Sequence, residues 1–288
     1  MIYLDRDQFN ELITKSKKIG EGTDGTCYRQ GNKIYKIYHT SHTIHLTSKV
    51  VLDSSGVRVP NKEDYKKIVT SDKPVIQYVT EDGTRLSTEN GLLKAIELGS
   101  KIKGSNLPSE IIYVGGVARG CVYPYYKHVS SIHKSYRRRL KTRLQICMSL
   151  YEKVKELVDN NIYPIDLAQK SREKLFDKRY CNVFLGRKNE PIIIDLDGKS
   201  ALYTETPSKD FERMTCQSLM TLMLEIITRE DLQEDMNEED FDTVRFYLKN
   251  NGLSMESIEK FFDCDMALED VSTSLDEITN KLVRRLSN

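Results

Sequence analysis

The chain has 288 residues, 30% of them charged and 39% hydrophobic, with a formal net charge of +1. This length suits one two-lobed unit or two small domains, and the composition is that of a chain that folds, not of a disordered one. The near-balanced charge removes any global electrostatic argument for a nucleic-acid or acidic partner.

The six cysteines, Cys27, Cys121, Cys147, Cys181, Cys216 and Cys264, are scattered without a C-x-x-C pair, the usage of a reducing compartment. Met1 to Asn10 carries Asp5, Arg6 and Asp7 and lacks the apolar core of a signal peptide. The longest strongly apolar stretch, Leu219 to Ile227, is too short to span a bilayer. A cytoplasmic protein is therefore expected, with neither a membrane nor a nucleic-acid partner. The basic run Arg137, Arg138, Arg139, Lys141 and Arg143 reads as a solvated helix face.

In chain order, Gly20 to Tyr38 is the first clear unit. It holds a glycine-rich turn, a strand Thr26 to Arg29, a Gly31-Asn32 turn and the alternating strand Lys33 to Tyr38. Residues 41 to 86 carry turn signals at Ser54-Ser55-Gly56 and Glu81-Asp82-Gly83 and read as an insertion. Leu92, Leu93, Ile96 and Ile102 predict a helix from Thr88 to Ile102. The strands I-I-Y-V and C-V-Y-P-Y-Y follow, joined through Gly115-Gly116. Tyr136 to Val158 predicts a long amphipathic helix that ends at Asn160-Asn161. The strands V-F-L and I-I-I-D flank a turn at Arg187 to Glu190, and the pattern is helical from Asp210 onward. Strands first and helices afterwards predict two differently built lobes.

Gly20, Gly22 and Gly25 form G-x-G-x-x-G. Glycine lets backbone N–H groups approach phosphate oxygens closely. Dinucleotide-binding folds share the pattern but follow it with a helix, whereas here a strand and hairpin follow. Lys36, on the strand after that hairpin, is placed to offer a positive charge to nucleotide phosphates. Taken singly, each has a plainer reading, an ordinary turn and a solvent-facing lysine.

With these parts followed by the helix, the two strands, the long helix and N-V-F-L…I-I-I-D-L-D-G, the chain resembles the protein-kinase family over about residues 17 to 228. The nearest form is an atypical, bacterial-style Ser/Thr kinase. The resemblance implies an α+β, two-lobed protein-kinase-like fold. Its N-lobe would be a small antiparallel sheet over residues 1–127, carrying the insertion at about 41–86, and its C-lobe would be mainly helical over residues 128–288. It implies ATP and Mg²⁺ as ligands, and a protein or small molecule as phosphoryl acceptor. Gly20, Gly22, Gly25 and Lys36 would hold the nucleotide, while Asn182 and Asp195 would hold the metal. Asp197 would add a second carboxylate near that metal.

Two aspartates fit the catalytic position. Asp166 follows N-N-I-Y-P-I and precedes Leu167 but needs an insertion of about 11 residues before Asn182. Asp177 has the family spacing to Asn182 without one. Neither is preceded by the family's His-Arg. The helix glutamate that would pair with Lys36 is Glu89, with Glu97 as the alternative. Val122 to Tyr126 would connect the lobes beside the adenine ring. Asp210 resembles the aspartate that braces the catalytic loop, or else is a helix cap. Only 14 residues lie between Asp195 and Asp210, without an A-P-E motif. Thr204, Thr206 and Ser208 within them are phosphorylatable in type. The expected activity is ATP- and Mg²⁺-dependent phosphoryl transfer to a protein; transfer to a small molecule and a pseudokinase scaffold are the alternatives.

Overall fold

The computed structural model describes residues 1–22, 25–39, 51–53, 56–58, 78–79, 85–86, 88–99, 102, 106–167, 182–197, 201–203, 207–230, 232, 238–250 and 267–287. Asp177, Thr204, Thr206 and most of the expected insertion lie outside the described residues, as does the side chain of Glu89. The chain divides into two compact units. Unit 1 is Met1–Tyr126 with Asp197–Lys199, and unit 2 is Lys127–Leu196 with Ser200–Asn288.

Unit 1 opens with β1 (Ile2–Leu4) and α1 (Arg6–Lys15), a helix the periodicity did not announce. Its start is written in Asp5 and Gln8. The Gln8 N–H donates to Asp5 Oδ1 at 2.8 Å and the Asp5 N–H to Gln8 Oε1 at 3.0 Å, a reciprocal cap. The glycine hairpin β2 (Lys17–Glu21) and β3 (Gly25–Gln30) leads into β4 (Lys33–Tyr38). Two short hairpins follow, β5 (Val51–Asp53) with β6 (Gly56–Arg58) and β7 (Tyr78–Val79) with β8 (Arg85–Leu86). Then come α2 (Thr88–Gly99), β9 (Glu110–Val114) and β10 (Val117–Pro124).

One six-stranded sheet runs β1-β9-β10-β4-β3-β2. It is the expected antiparallel sheet, with one parallel pairing at its edge, β1 beside β9. The helix α2 stops at Gly99 and not at Ile102. A Cβ at Gly99 would sit 2.8 Å from Leu107 Cβ, so glycine lets the following chain pack close. β10 begins four residues earlier than expected. It takes in Val122 to Pro124, and the Tyr125 N–H extends the pairing to the Asn32 carbonyl at 2.9 Å. The supposed connecting segment is thus mostly sheet.

Phe9 and Leu12 of α1 pack on Tyr35, Ile37, Ile112 and Val122. Strand alternation sends Lys36 and Tyr38 to the other face. β4 is tightly flanked on both sides: a Cβ at Gly25 would lie 2.5 Å from the Ile37 carbonyl oxygen, and one at Gly120 2.2 Å from that of Lys36.

Unit 2 begins with β11 (Ser130–Ser131) and a 3-10 turn, Ile132–Arg137. The long helix α3 spans Leu140–Val158, so the expected start at Tyr136 is corrected: Arg138 and Arg139 are extended. β12 (Ile162–Pro164), β13 (Val183–Leu185), β14 (Pro191–Ile193) and β15 (Ala201–Tyr203) follow. They make a three-stranded sheet β11-β13-β14 and a pair β12-β15. The helices α4 (Lys209–Thr228), α5 (Glu238–Asn250) and α6 (Leu268–Ser287) complete the unit. The core is built where α3, through Cys147, Leu150 and Val154, meets α4, whose side chains from Leu219 to Thr228 are all buried.

Arg143 does not belong to a solvated face. It is 2% exposed, and its Nη1 donates to the Ile226 carbonyl at 2.9 Å and also to that of Ile227. Those oxygens belong to the last turn of α4, where no i+4 N–H remains to bond them. α4 then ends on Arg229 in the left-handed conformation, φ 71°. Among the described residues no helix is long and apolar enough to cross a membrane.

Candidate functional site

The three glycines of G-x-G-x-x-G do different things. The hairpin they close is held by the Gly22 N–H donating to the Gly25 carbonyl at 2.9 Å. At Gly20 and Gly22 an added Cβ would meet nothing within 4 Å. Both lie on an exposed strand and its tip, with open space for a ligand to approach the backbone. Gly25 is buried and is glycine because β4 leaves no room for more. Its structural role is therefore sufficient to explain it.

Lys36 sits in mid-sheet, opposite Cys27 on one side and Cys121 on the other. Its Nζ lies 2.9 Å from Asp197 Oδ1, and the two side chains are 11% and 2% exposed. Tyr38 OH donates to Asp197 Oδ2 at 2.7 Å, and Cys121 Sγ lies 3.6 Å from the same oxygen. Burial pushes the Cys121 thiol well above the ordinary range, with the Asp197 charge adding to it, so the sulfur keeps its proton. All four residues belong to unit 1. Asp197, expected near the metal, has its two oxygens bonded by an ammonium and a phenol.

In unit 2 the hairpin β13-β14 pairs Val183 with Ile193, and beyond it the Ile194 N–H donates to the Asn182 carbonyl at 2.8 Å. Asn182 and Asp195 therefore emerge from the same end of this hairpin. Asp195 has φ 63°, a left-handed conformation that aspartate tolerates better than most residues, at some cost. Asn182 Nδ2 donates to the Asp166 carbonyl at 2.7 Å and approaches Asp166 Oδ2 at 3.4 Å. The structure thus joins Asp166 to Asn182. With its nitrogen turned to Asp166, the amide of Asn182 has its oxygen as the atom that could meet a metal. An amide oxygen and a carboxylate, both hard oxygen donors, fit Mg²⁺. That ion takes one or two protein oxygens and completes its shell with water and phosphate.

What braces the Asp166 loop is not Asp210. The Asp210 side chain is 75% exposed and pairs only loosely with Arg213, at 3.7 Å. Nor is Asp210 the helix cap. That is Ser208, whose Oγ accepts the Phe211 N–H at 3.3 Å. Ser208 is 1% exposed and its N–H donates to Tyr163 OH at 2.8 Å, so its hydroxyl, phosphorylatable in type, is buried. The brace comes from Ser218, ten residues into α4, whose Oγ accepts the Leu167 N–H at 2.8 Å. Sequence reasoning passed over Ser218. Its signal was a hydroxyl within the stretch of α4 that is otherwise nearly all core.

No model of a known protein family matches the sequence, and no curated protein does. Among solved structures, the chain is similar to a pseudokinase determined in its apo form, with a TM-score of 0.53 and 14% identity. The match covers 97% of this chain and 94% of that one. The chain accordingly has a protein-kinase-like fold: α+β, with an N-terminal sheet antiparallel but for one edge and a helical C-terminal part.

Proposed function

We propose that the chain is an ATP- and Mg²⁺-dependent phosphotransferase, a cytoplasmic protein Ser/Thr kinase of the atypical, bacterial-style kind. The observation that carries this reading is the bond from Asn182 to Asp166. It puts a carboxylate next to a metal-type amide oxygen, the pairing that the kinase resemblance asks for, and it favours Asp166 over Asp177. Mg²⁺, when bound by Asn182 and Asp195, would neutralise phosphate oxygens.

The chain's own residues do the rest. The open backbone around Gly20 and Gly22, with no Cβ in the way, admits the phosphates, and the Lys36 ammonium binds their oxygens. Asp166 takes the proton of the acceptor hydroxyl as that oxygen bonds the γ-phosphorus. The bond to the bridging oxygen then breaks and ADP leaves. Asn182 orients the carboxylate, and Ser218 holds the backbone just after it.

Incubation with labelled ATP and Mg²⁺ tests this. Label on the protein itself or on a generic protein is expected, and Asp166→Asn is expected to lower it by about a hundredfold or more. Full turnover in both Asp166→Asn and Asp177→Asn would contradict the assignment. A second reading, a nucleotide-binding scaffold without transfer, is favoured by Pro164-Ile165 where the family carries His-Arg. It predicts a higher melting temperature with ATP and no label. A third reading, transfer to a small molecule, is favoured by the short segment between Asp195 and Asp210.

A further inference from the structure

We propose that Asp197 is the positioning residue for Lys36, taking the part that the resemblance implies for a helix glutamate. The two aspartates of D-L-D then divide the work: Asp195 serves the metal and Asp197 serves the lysine. This rests on the nucleotide-binding reading above and assigns a residue which that reading leaves out.

The geometry leads there directly. A carboxylate exposed to only 2% is costly unless its oxygens are bonded. Oδ1 is bonded by Lys36 at 2.9 Å and Oδ2 by Tyr38 at 2.7 Å, with the Cys121 thiol 3.6 Å from Oδ2. Tyr38 OH also lies 3.3 Å from Cys121 Sγ, so the thiol proton is shared between the phenol oxygen and the carboxylate. Lys36 and Tyr38 are two apart on β4, hence on one face, and Cys121 is directly opposite Lys36 on β10. Three donors on two paired strands thus converge on one carboxylate. β4 is itself held between Gly25 and Gly120, which fixes the strand that carries the lysine.

An Asp197 acting as metal ligand would share its oxygens between the metal and these partners, and would weaken its hold on the nearly buried ammonium. A surface ion pair formed by chance would not recruit a phenol and a thiol to the same oxygen. An ammonium has three N–H donors, so a bond to Asp197 does not in itself exclude a phosphate. Bidding the lysine to one direction is what a positioning residue does.

The test uses the full chain and an acyl-phosphate derivative of ATP, which acylates amines near bound phosphates, with the labelled lysine mapped by peptide mass. Asp197→Asn is expected to cut labelling of Lys36 by about tenfold or more, and by more than Glu89→Gln does. Tyr38→Phe should cut it by a smaller factor. A loss in Glu89→Gln equal to or larger than that in Asp197→Asn would overturn the proposal.

Because Asp197→Asn strands a buried ammonium, melting temperatures of Lys36→Met, Asp197→Leu and the double variant form a second arm. A direct pair predicts that the double variant melts above Asp197→Leu alone. Additive shifts would overturn the pairing. A wild type that takes no label would sink the nucleotide reading. The pairing of Asp197 with Lys36 would then stand or fall on the melting cycle.

Discussion

Two buried cations, one in each unit, are held in opposite ways. Lys36 meets a carboxylate, with a phenol and a thiol completing the shell of that carboxylate. Arg143 meets two main-chain carbonyls at the end of α4. Burial lowers the Arg143 pKa from the usual arginine range, and the Arg229 charge adds to this. The carbonyls hold the cation with partial charges, supplying the negative end of a helix dipole without a counter-ion. Arg143 ties α3 to α4, and its bond to Tyr247 adds α5 to the same tie. Lys36 is different, because its partner is a full charge fixed by a rigid strand pair. That is a costly device for stability alone, since replacing a buried ion pair by apolar residues is often neutral or stabilising. The comparison teaches that burial of a cation does not by itself mark a site. The partner's charge, and what holds the partner, do.

Substitutions can break or sharpen this contrast. The largest effect belongs to Asp197→Leu, already part of the melting cycle. It leaves the Lys36 ammonium facing an apolar group and should cost about 3–5 kcal/mol in urea denaturation. Arg143→Met comes next. It strands two carbonyls of α4 and should cost about 1.5–3 kcal/mol, while ATP affinity stays within about twofold of wild type. An Arg143→Met variant that loses nucleotide binding at unchanged stability would dissolve the distinction. Ser218→Ala is smallest. It unpairs the Leu167 N–H and should cost about 1 kcal/mol. Phosphotransfer should fall further than that loss of stability explains, because Asp166 is the neighbouring residue.

The kinase-like architecture was legible because its parts occur in family order, each with its own local signature: glycine hairpin, alternating strand, long amphipathic helix, two apolar strands. Residues whose role depends on a partner far along the chain were not. Asp197 lies 161 positions from Lys36, and no spacing rule connects them. Asp210 drew the roles of Ser208 and Ser218 because an aspartate at a helix start is conspicuous. A serine inside a buried helix shows its function only through the loop it touches. Arg143 was readable in principle. It stands four before Cys147, seven before Leu150 and eleven before Val154, on the stripe that α3 buries, but its basic neighbours made the whole run look solvated. The start of α1 was readable too, in the Asp5 and Gln8 pair, and was passed over because the helix buries no residue completely.

The central proposal is that Lys36 binds a nucleotide and that Asn182 and Asp195 bind a metal. Isothermal titration of ATP into the full chain, with and without Mg²⁺, tests it most directly. The account predicts saturable binding that Mg²⁺ strengthens in wild type. It predicts that Asp195→Asn loses this strengthening and that Lys36→Met weakens binding under both conditions. No binding by the folded wild type, or binding indifferent to both substitutions, would contradict it.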